Sequence, residues 1–145
     1  MPKAKGRPIN TFKTNITIDA LKHALERSWT KETSANPEGW SPQNAAFGQC
    51  AVTALIVNDF FGGKLVRVVA KNESENVDVS HYYNELTDGS IIDLTRRQFP
   101  PETTFSEPIY KERAYAEGRS TPGATTFERY TNLKARVALE LAKRP

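Results

Sequence analysis

Three side chains of this sequence, Cys50, His81 and Asp93, are of the types that together perform nucleophilic catalysis. Cys50 is the only cysteine, and it directly precedes an apolar run at 51–61 that predicts a buried helix. At a helix N-terminus the unpaired backbone N–H groups and the helix dipole favour a thiolate over a thiol. The position therefore predicts a nucleophile, although a free cysteine is more often a small core residue, and that alternative stays open.

His81 and Asp93 belong to two neighbouring runs that predict strands over residues 78–86 and 90–95. Asp88-Gly89 between these runs is a strong hairpin signal. Folding back there pairs residues whose numbers sum to about 177, which puts Asp93 one diagonal step from His81. The carboxylate would then orient the imidazole, and the imidazolium would stabilise the thiolate. The pattern predicts a Cys–His–Asp triad.

Other interpretations of these residues stay open. A lone strand histidine is often structural, and Asp93 is also of a type that caps turns. Asn84 is an alternative third member, but strand alternation places it on the face opposite His81. A metal site at Cys50, His81 and Asp93 is disfavoured, because one Cys and two His offer zinc few thiolate or imidazole ligands. We expect neither a metal nor another cofactor.

Length and charge predict a short tail followed by one domain. The chain has 145 residues and a formal net charge of +3. That excess lies in residues 1–15, where four Lys and Arg side chains stand unopposed. We expect 1–15 to be a basic flexible tail. Its role is either only that of a solvated chain end or that of a contact for nucleic acid or an acidic partner. Residues 16–145 are expected to form a single α+β domain.

The same sequence predicts a cytoplasmic protein. No stretch approaches the roughly 20 apolar residues of a membrane span, and the N-terminus lacks the apolar core of a signal peptide. A single cysteine excludes an intramolecular disulfide, which suits a reducing compartment. We therefore expect no membrane contact.

Periodicity predicts the remaining elements. An amphipathic helix is expected over 18–29, then a loop over 30–46, and a strand over 64–70. Residues 102–123 are expected to be irregular, with a short helix near 109–116. A last helix over 125–143 carries an apolar stripe of Phe127, Tyr130, Leu133, Val137 and Leu141.

Several motifs carry a resemblance to a known family: Gly48-Gln49-Cys50, His81-Tyr82-Tyr83-Asn84, Asp88-Gly89, and Ile92-Asp93-Leu94-Thr95-Arg96-Arg97-Gln98-Phe99. Together they resemble the YunG-like family of small, largely uncharacterised bacterial proteins. The resemblance covers residues 40–99, and the last helix shows a weaker similarity. The order of Cys, His and Asp also resembles the core of transglutaminase-like and papain-like cysteine enzymes.

That second resemblance implies an α+β fold whose nucleophile helix packs on a small antiparallel sheet, flanked by N- and C-terminal helices. Cys50 would be the nucleophile, His81 the general base and Asp93 the orienting acid. The implied activity is a cysteine-dependent hydrolase or acyltransferase acting on an amide bond, as a peptidase, deamidase or transglutaminase-like enzyme. Its substrate would be a peptide or another amide.

Three further residues are predicted to belong to the site, on less specific signals. Papain-like enzymes place an oxyanion-hole glutamine before the nucleophile, and the candidates here are Gln43 and Gln49, of which Gln49 is the choice, alongside the Cys50 backbone N–H. Trp40 and Arg96 are candidate substrate-binding residues, with loop anchoring and a solvated strand end as their plainer interpretations. The alternative function is a non-catalytic binding module on the same fold.

Overall fold

The computed structural model describes residues 16–118, 120–121 and 124–143, with backbone alone at 120–121. The basic tail predicted at 1–15 lies outside the described residues. This described part of the chain is a mixed α+β structure with four α-helices: α1 (Ile18–Ser28), α2 (Cys50–Phe61), α3 (Arg113–Glu117) and α4 (Thr126–Ala142). Its strands are β1 (Lys64–Asn72), β2 (Val77–Glu85), β3 (Ile91–Ile92), β4 (Thr104–Phe105), β5 (Ile109–Lys111), β6 (Ser120–Thr121) and β7 (Ala124–Thr125).

Helix α1 starts at the predicted position because Thr17 caps it, its hydroxyl accepting the Ala20 N–H at 3.0 Å. Its apolar face is buried, with Leu21 and Leu25 fully inaccessible to solvent. At the other end, the Trp29 indole donates to the Thr53 hydroxyl at 2.9 Å. That bond ties the end of α1 to the middle of α2.

Helix α2 forms the centre of the hydrophobic core. Its residues 52–57 are all buried, as expected for a helix that is apolar around most of its circumference. It packs against β2 on one side and α4 on another, while α1 packs on α4. Gly62, at a φ of 71°, ends the helix and donates its N–H to the Asn58 carbonyl at 2.9 Å.

The main sheet is antiparallel and centred on β1. Strand β2 pairs with β1 along its whole length, from Lys64–Glu85 to Asn72–Val77. On the other edge of β1, β4 and β5 pair with opposite ends of the strand. Strands β6 and β7 form a separate two-stranded sheet. The described residues within 102–123 are therefore more regular than predicted. The short helix predicted near 109–116 is present as α3, Arg113–Glu117, but the first part of the predicted range is the strand β5.

The hairpin lies where Asp88-Gly89 predicts it, but its register differs from the expected one by one residue. The expected register pairs Asn84 with residue 93, whereas Asn84 pairs with Ile92. The loop contains three residues, 87–89, rather than two, and Leu86 donates to the Ser90 carbonyl at 2.8 Å. Gly89, at a φ of 88°, supplies the left-handed residue that such a loop needs.

The predicted third strand over 90–95 is wrong beyond Ile92. The chain turns away at Asp93, where one carboxylate oxygen accepts the Thr95 N–H at 3.3 Å. A single 3₁₀ turn, Arg96–Gln98, follows. Since β3 pairs only with Asn84 and Glu85 at the end of β2, none of the described strands pairs with this edge of β2 over residues 77–83.

Helix α4 confirms the predicted C-terminal helix, and a capping box between Thr125 and Glu128 sets its start. Tyr130, Leu133 and Val137 of its stripe are buried. Phe127 does not follow the prediction, since it lies in the first turn with 51% of its surface exposed. None of the described helices is long and apolar enough to cross a membrane.

Gly48 determines how the chain enters α2. Its φ is 74°, and a Cβ at this position would lie 2.2 Å from the Ser34 hydroxyl oxygen and 2.9 Å from the Ala35 nitrogen. The Gly48 carbonyl accepts the Ala35 N–H at 2.8 Å. The segment before Cys50 therefore packs directly on the backbone at 34–36, and only glycine fits there.

We predict that Gly48→Ala destabilises the fold more than Gly89→Ala. Both glycines have positive φ, and placing alanine there costs on the order of 1 kcal/mol in either case. Only Gly48 has neighbours in the way, because a Cβ at Gly89 meets nothing within 4 Å. Urea unfolding of the two variants measures the difference. Equal free energies of unfolding would contradict the close packing at Gly48.

Candidate active site

The thiol of Cys50 lies against the uncovered edge of β2. Cys50 is the first residue of α2, so the sulfur lies at a helix N-terminus, and the residue as a whole is partly exposed. Its Sγ lies 4.0 Å from the Ser80 carbonyl oxygen and accepts a hydrogen bond from the Tyr82 backbone N–H. Continuing β3 past Ile92 would have paired these backbone groups, so the early end of β3 makes room for the thiol.

His81 and Asp93 lie side by side, as predicted. The imidazole Nε2 is 2.8 Å from an Asp93 carboxylate oxygen. His81 is fully buried, whereas the Asp93 side chain keeps 18% of its surface exposed. Two rings hold the imidazole: Phe99 meets it edge-on at 5.0 Å between centroids, and Phe105 lies 5.9 Å away. Both rings come from the segment that follows Asp93.

Cys50 lies beside the backbone that leads to His81, since its Sγ is 4.0 Å from the carbonyl oxygen of the preceding residue, Ser80. Because Asp93 occupies Nε2, the remaining ring nitrogen is Nδ1, which is buried and has no well-formed hydrogen bond among the described residues. The His81 imidazole and the Cys50 thiol each shift the pKa of the other, so the two side chains are electrostatically coupled. His81 is therefore bonded to Asp93 and coupled to the Cys50 thiol.

The two titrating groups favour the charged pair. Burial by itself would lower the pKa of His81, but the hydrogen bonds to Asp93 and Cys50 outweigh it and raise the pKa to about 9. Burial also raises the pKa of Cys50, yet the hydrogen bond and charge of His81 leave it below the ordinary value of 9.0. Both shifts favour thiolate and imidazolium over the neutral pair.

A cleft of about 430 Å³ opens beside the thiol. Its lining is mostly apolar or neutral and comes from the loops before α2, the start of β2 and the segment after Asp93: Ala35, Asn36, Phe47, Gly48, Cys50, Glu75, Asn76, Val77, Val79, Ser80, Gln98 and Phe99. Among these described residues Glu75 is the one carboxylate. The cleft can hold a small acyl group or a short peptide segment.

Gln49 does not reach this cleft. Its side chain is fully buried, with Oε1 accepting from the Thr33 hydroxyl at 2.8 Å and Nε2 donating to the Thr30 carbonyl at 2.9 Å. The expectation that the Gln49 side chain donates to an oxyanion is therefore corrected, because its amide anchors the loop that contains the 3₁₀ turn Lys31–Thr33. Gln43, the other candidate, is exposed and is absent from the described lining.

The structure also does not bring Trp40 or Arg96 into the described cleft lining. The Trp40 indole donates to the Ala45 carbonyl at 2.9 Å, which anchors its own loop. The Arg96 guanidinium lies over the Phe105 ring at 4.5 Å, and the Phe105 ring lies 5.9 Å from the His81 ring. The Trp40 contact matches loop anchoring, its plainer interpretation. Arg96 begins a 3₁₀ turn, so it is not the solvated strand end of its plainer interpretation.

Asn84 lies on the core face of β2, opposite His81, and its amide donates to the Ala54 carbonyl of α2 at 2.9 Å. It is therefore a packing residue rather than the partner of His81. Within the described residues, no group of three or more His, Cys, Asp and Glu side chains is arranged to hold a metal ion.

Two buried residues near the site were missed by the sequence analysis. Gln98 lines the cleft and accepts the Gly48 N–H on its side-chain oxygen at 3.0 Å. Arg129 of α4 donates to the Thr33 carbonyl at 3.1 Å, and burial lowers its pKa. No local pattern distinguishes either residue, because the contacts to Gly48 and to Thr33 join residues that lie 50 or more positions apart along the chain.

Comparison with known proteins identifies the family. A family model described as "YunG protein" matches residues 17–142. The chain belongs to the YunG family. A YunG-family relative from Bacillus subtilis (strain 168), named "Uncharacterized protein YunG", is 29% identical over 119 residues, which cover 81% of this chain and 88% of that protein. No solved structure matches the chain. The resemblance to YunG-like proteins is confirmed, and these comparisons assign no activity.

The geometry predicts a thiol that His81 activates. In the wild type, alkylation of Cys50 by iodoacetamide should stay fast well below pH 8.5, because the thiolate persists there. In His81→Ala, the effect of burial on the Cys50 thiol is left largely unopposed, so the pKa of the thiol should rise. The alkylation profile should then move to higher pH, and the rate at pH 7 should fall about tenfold or more. The exposed His23→Ala variant is the matched control and should leave the profile unchanged.

Mass spectrometry of the labelled protein measures both rates. An alkylation profile that is the same in the wild type and His81→Ala would contradict the coupling of the two side chains.

Proposed function

We propose that this YunG-family protein is a cysteine-dependent hydrolase or acyltransferase that acts on an amide bond through Cys50, His81 and Asp93. The observation that supports it most is the position of His81, whose Nε2 lies 2.8 Å from an Asp93 carboxylate oxygen and whose charge acts to lower the pKa of the Cys50 thiol. A base that is oriented by a carboxylate and paired with a nucleophile at a helix start is the arrangement that acyl transfer needs.

The reaction proceeds in two steps. The Cys50 thiolate attacks the amide carbonyl carbon, forming a C–S bond while the carbonyl electron pair moves to oxygen. Collapse of this intermediate breaks the C–N bond, and the His81 imidazolium gives its proton to the leaving nitrogen. Water or an amine then attacks the thioester, His81 takes the proton from it, and the Cys50 thiolate leaves. Asp93 keeps the imidazole oriented and stabilises its cationic form.

The fold and the cleft are compatible with this chemistry. A nucleophile helix packed on an antiparallel sheet resembles the papain-like and transglutaminase-like core, which we propose as the fold of the single domain at 16–145. Glu75 is the one carboxylate among the described lining residues, so a neutral or basic acyl substrate is favoured over an acidic one. A thiol that must stay reduced suits the cytoplasm.

An activated ester tests the proposal without knowledge of the natural substrate. We expect p-nitrophenyl acetate to release a burst of p-nitrophenol stoichiometric with protein, and mass spectrometry to locate the acetyl group on Cys50. Cys50→Ser should abolish the burst. Asp93→Asn keeps the size of the side chain but not its charge, and should slow acylation about 10²-fold or more.

The alternative, a non-catalytic binding module that uses the tail at 1–15 to contact nucleic acid or an acidic partner, predicts a different result. Such a module would hydrolyse the ester slowly, without a burst, and equally in the wild type and Cys50→Ser. That outcome would overturn the enzymatic proposal.

A further inference from the structure

Gln98 has an unusual hydrogen-bonding state for a buried amide. The residue is only 9% exposed, and it belongs to the 3₁₀ turn Arg96–Gln98 that follows Asp93. Its Oε1 accepts the Gly48 backbone N–H at 3.0 Å. Its Nε2 is buried and has no hydrogen-bond partner among the described residues. Half of the amide is therefore satisfied and the other half is not.

The bond from Gly48 determines which half remains free. A backbone N–H can only donate, so the atom that faces it must be the carbonyl oxygen of the amide, and the NH₂ group must point the other way. The backbone of Gln98 is also held, because its N–H donates to the Thr95 carbonyl at 3.0 Å and its carbonyl accepts from Asn44 at 3.4 Å. The amide is fixed with a donor directed outward from these contacts.

Gln98, the residue that carries the unpaired donor, lines the cleft that contains the nucleophile. Gln98 and Cys50 both line it, and Gly48, to which Gln98 is bonded, is only two residues before Cys50. Burying an N–H without a partner costs free energy, which a ligand with an acceptor oxygen would recover. The ligand that must approach Cys50 in the proposed reaction carries such an oxygen on the carbon that is attacked.

We propose that the Gln98 side-chain amide donates a hydrogen bond to the carbonyl oxygen of the acyl group that Cys50 attacks. The Cys50 backbone N–H at the start of α2 is the second donor. This inference rests on the proposed acyl transfer. The carbonyl oxygen gains negative charge as the C–S bond forms, so a donor already in place binds it more strongly in the transition state than in the substrate. Gln98 takes the role that the sequence suggested for Gln49.

Two reactions of the same thiol separate this role from an effect on the thiolate. Acylation by p-nitrophenyl acetate passes through an intermediate with a negatively charged oxygen, whereas alkylation by iodoacetamide displaces iodide from a CH₂ group and forms no such oxygen. The deciding quantity is the ratio of the acylation rate constant to the alkylation rate constant for Cys50. Changes in thiolate population or in folding alter both rates and largely cancel in the ratio.

Gln98→Glu is the informative variant, because a carboxylate keeps an acceptor for the Gly48 N–H and removes the donor. Gln98→Ala removes both groups and avoids the added charge. We expect the ratio to fall about 10²- to 10³-fold in both variants. Gln43→Glu changes an exposed glutamine outside the described lining, and it should leave the ratio at the wild-type value.

The outcomes are distinct. An unchanged ratio in both Gln98 variants, with Cys50 still acylated, would overturn the role of Gln98 and leave the proposed acyl transfer intact. If the wild-type Cys50 is alkylated but never acylated, the proposed function fails, and the role of Gln98 fails with it.

Discussion

The structure of this site depends on one contact, the hydrogen bond between the buried imidazole of His81 and the carboxylate of Asp93. A fully buried imidazolium is unfavourable unless a carboxylate compensates it, and Asp93 at 2.8 Å does so. To make that contact, the chain leaves the sheet after Ile92 and turns back over β2. The same turn brings Phe99 against the imidazole. The segment that stabilises the protonated form of His81 therefore also shields the ring from water.

The early end of β3 has a second consequence. An edge of β2 that would have been paired with a neighbouring strand receives the N-terminus of α2 instead. The thiol thus meets the imidazole and a backbone N–H of the same strand. Gly48 makes the approach possible, since its backbone conformation and lack of a side chain let the loop before α2 pack closely. The positions of the thiol, the imidazole and the cleft therefore follow from one local departure from regular sheet pairing.

The parts of this arrangement that local pattern determines could be predicted from the sequence. Helices α1, α2 and α4 follow from apolar periodicity and caps, and the hairpin follows from Asp88-Gly89. The predicted proximity of His81 and Asp93 is correct although the predicted register is wrong by one residue. Asp93 lies outside the strand, and its carboxylate bonds to His81. What could not be predicted depends on tertiary packing. The Gln49 side chain is buried and bonds to Thr33, whereas Gln98 lines the cleft and accepts a hydrogen bond from Gly48.

We expect His81 to be a cation held by Asp93 at neutral pH, and the protonation state of its imidazole can be measured. The chain contains two histidines, so ¹⁵N NMR of the imidazole nitrogens, with His23→Ala for assignment, can follow His81 alone. We predict a pKa of about 9 for His81 and a clear fall of that pKa in Asp93→Asn. A neutral His81 imidazole at pH 7, with a pKa at or below the ordinary 6.5, would contradict it.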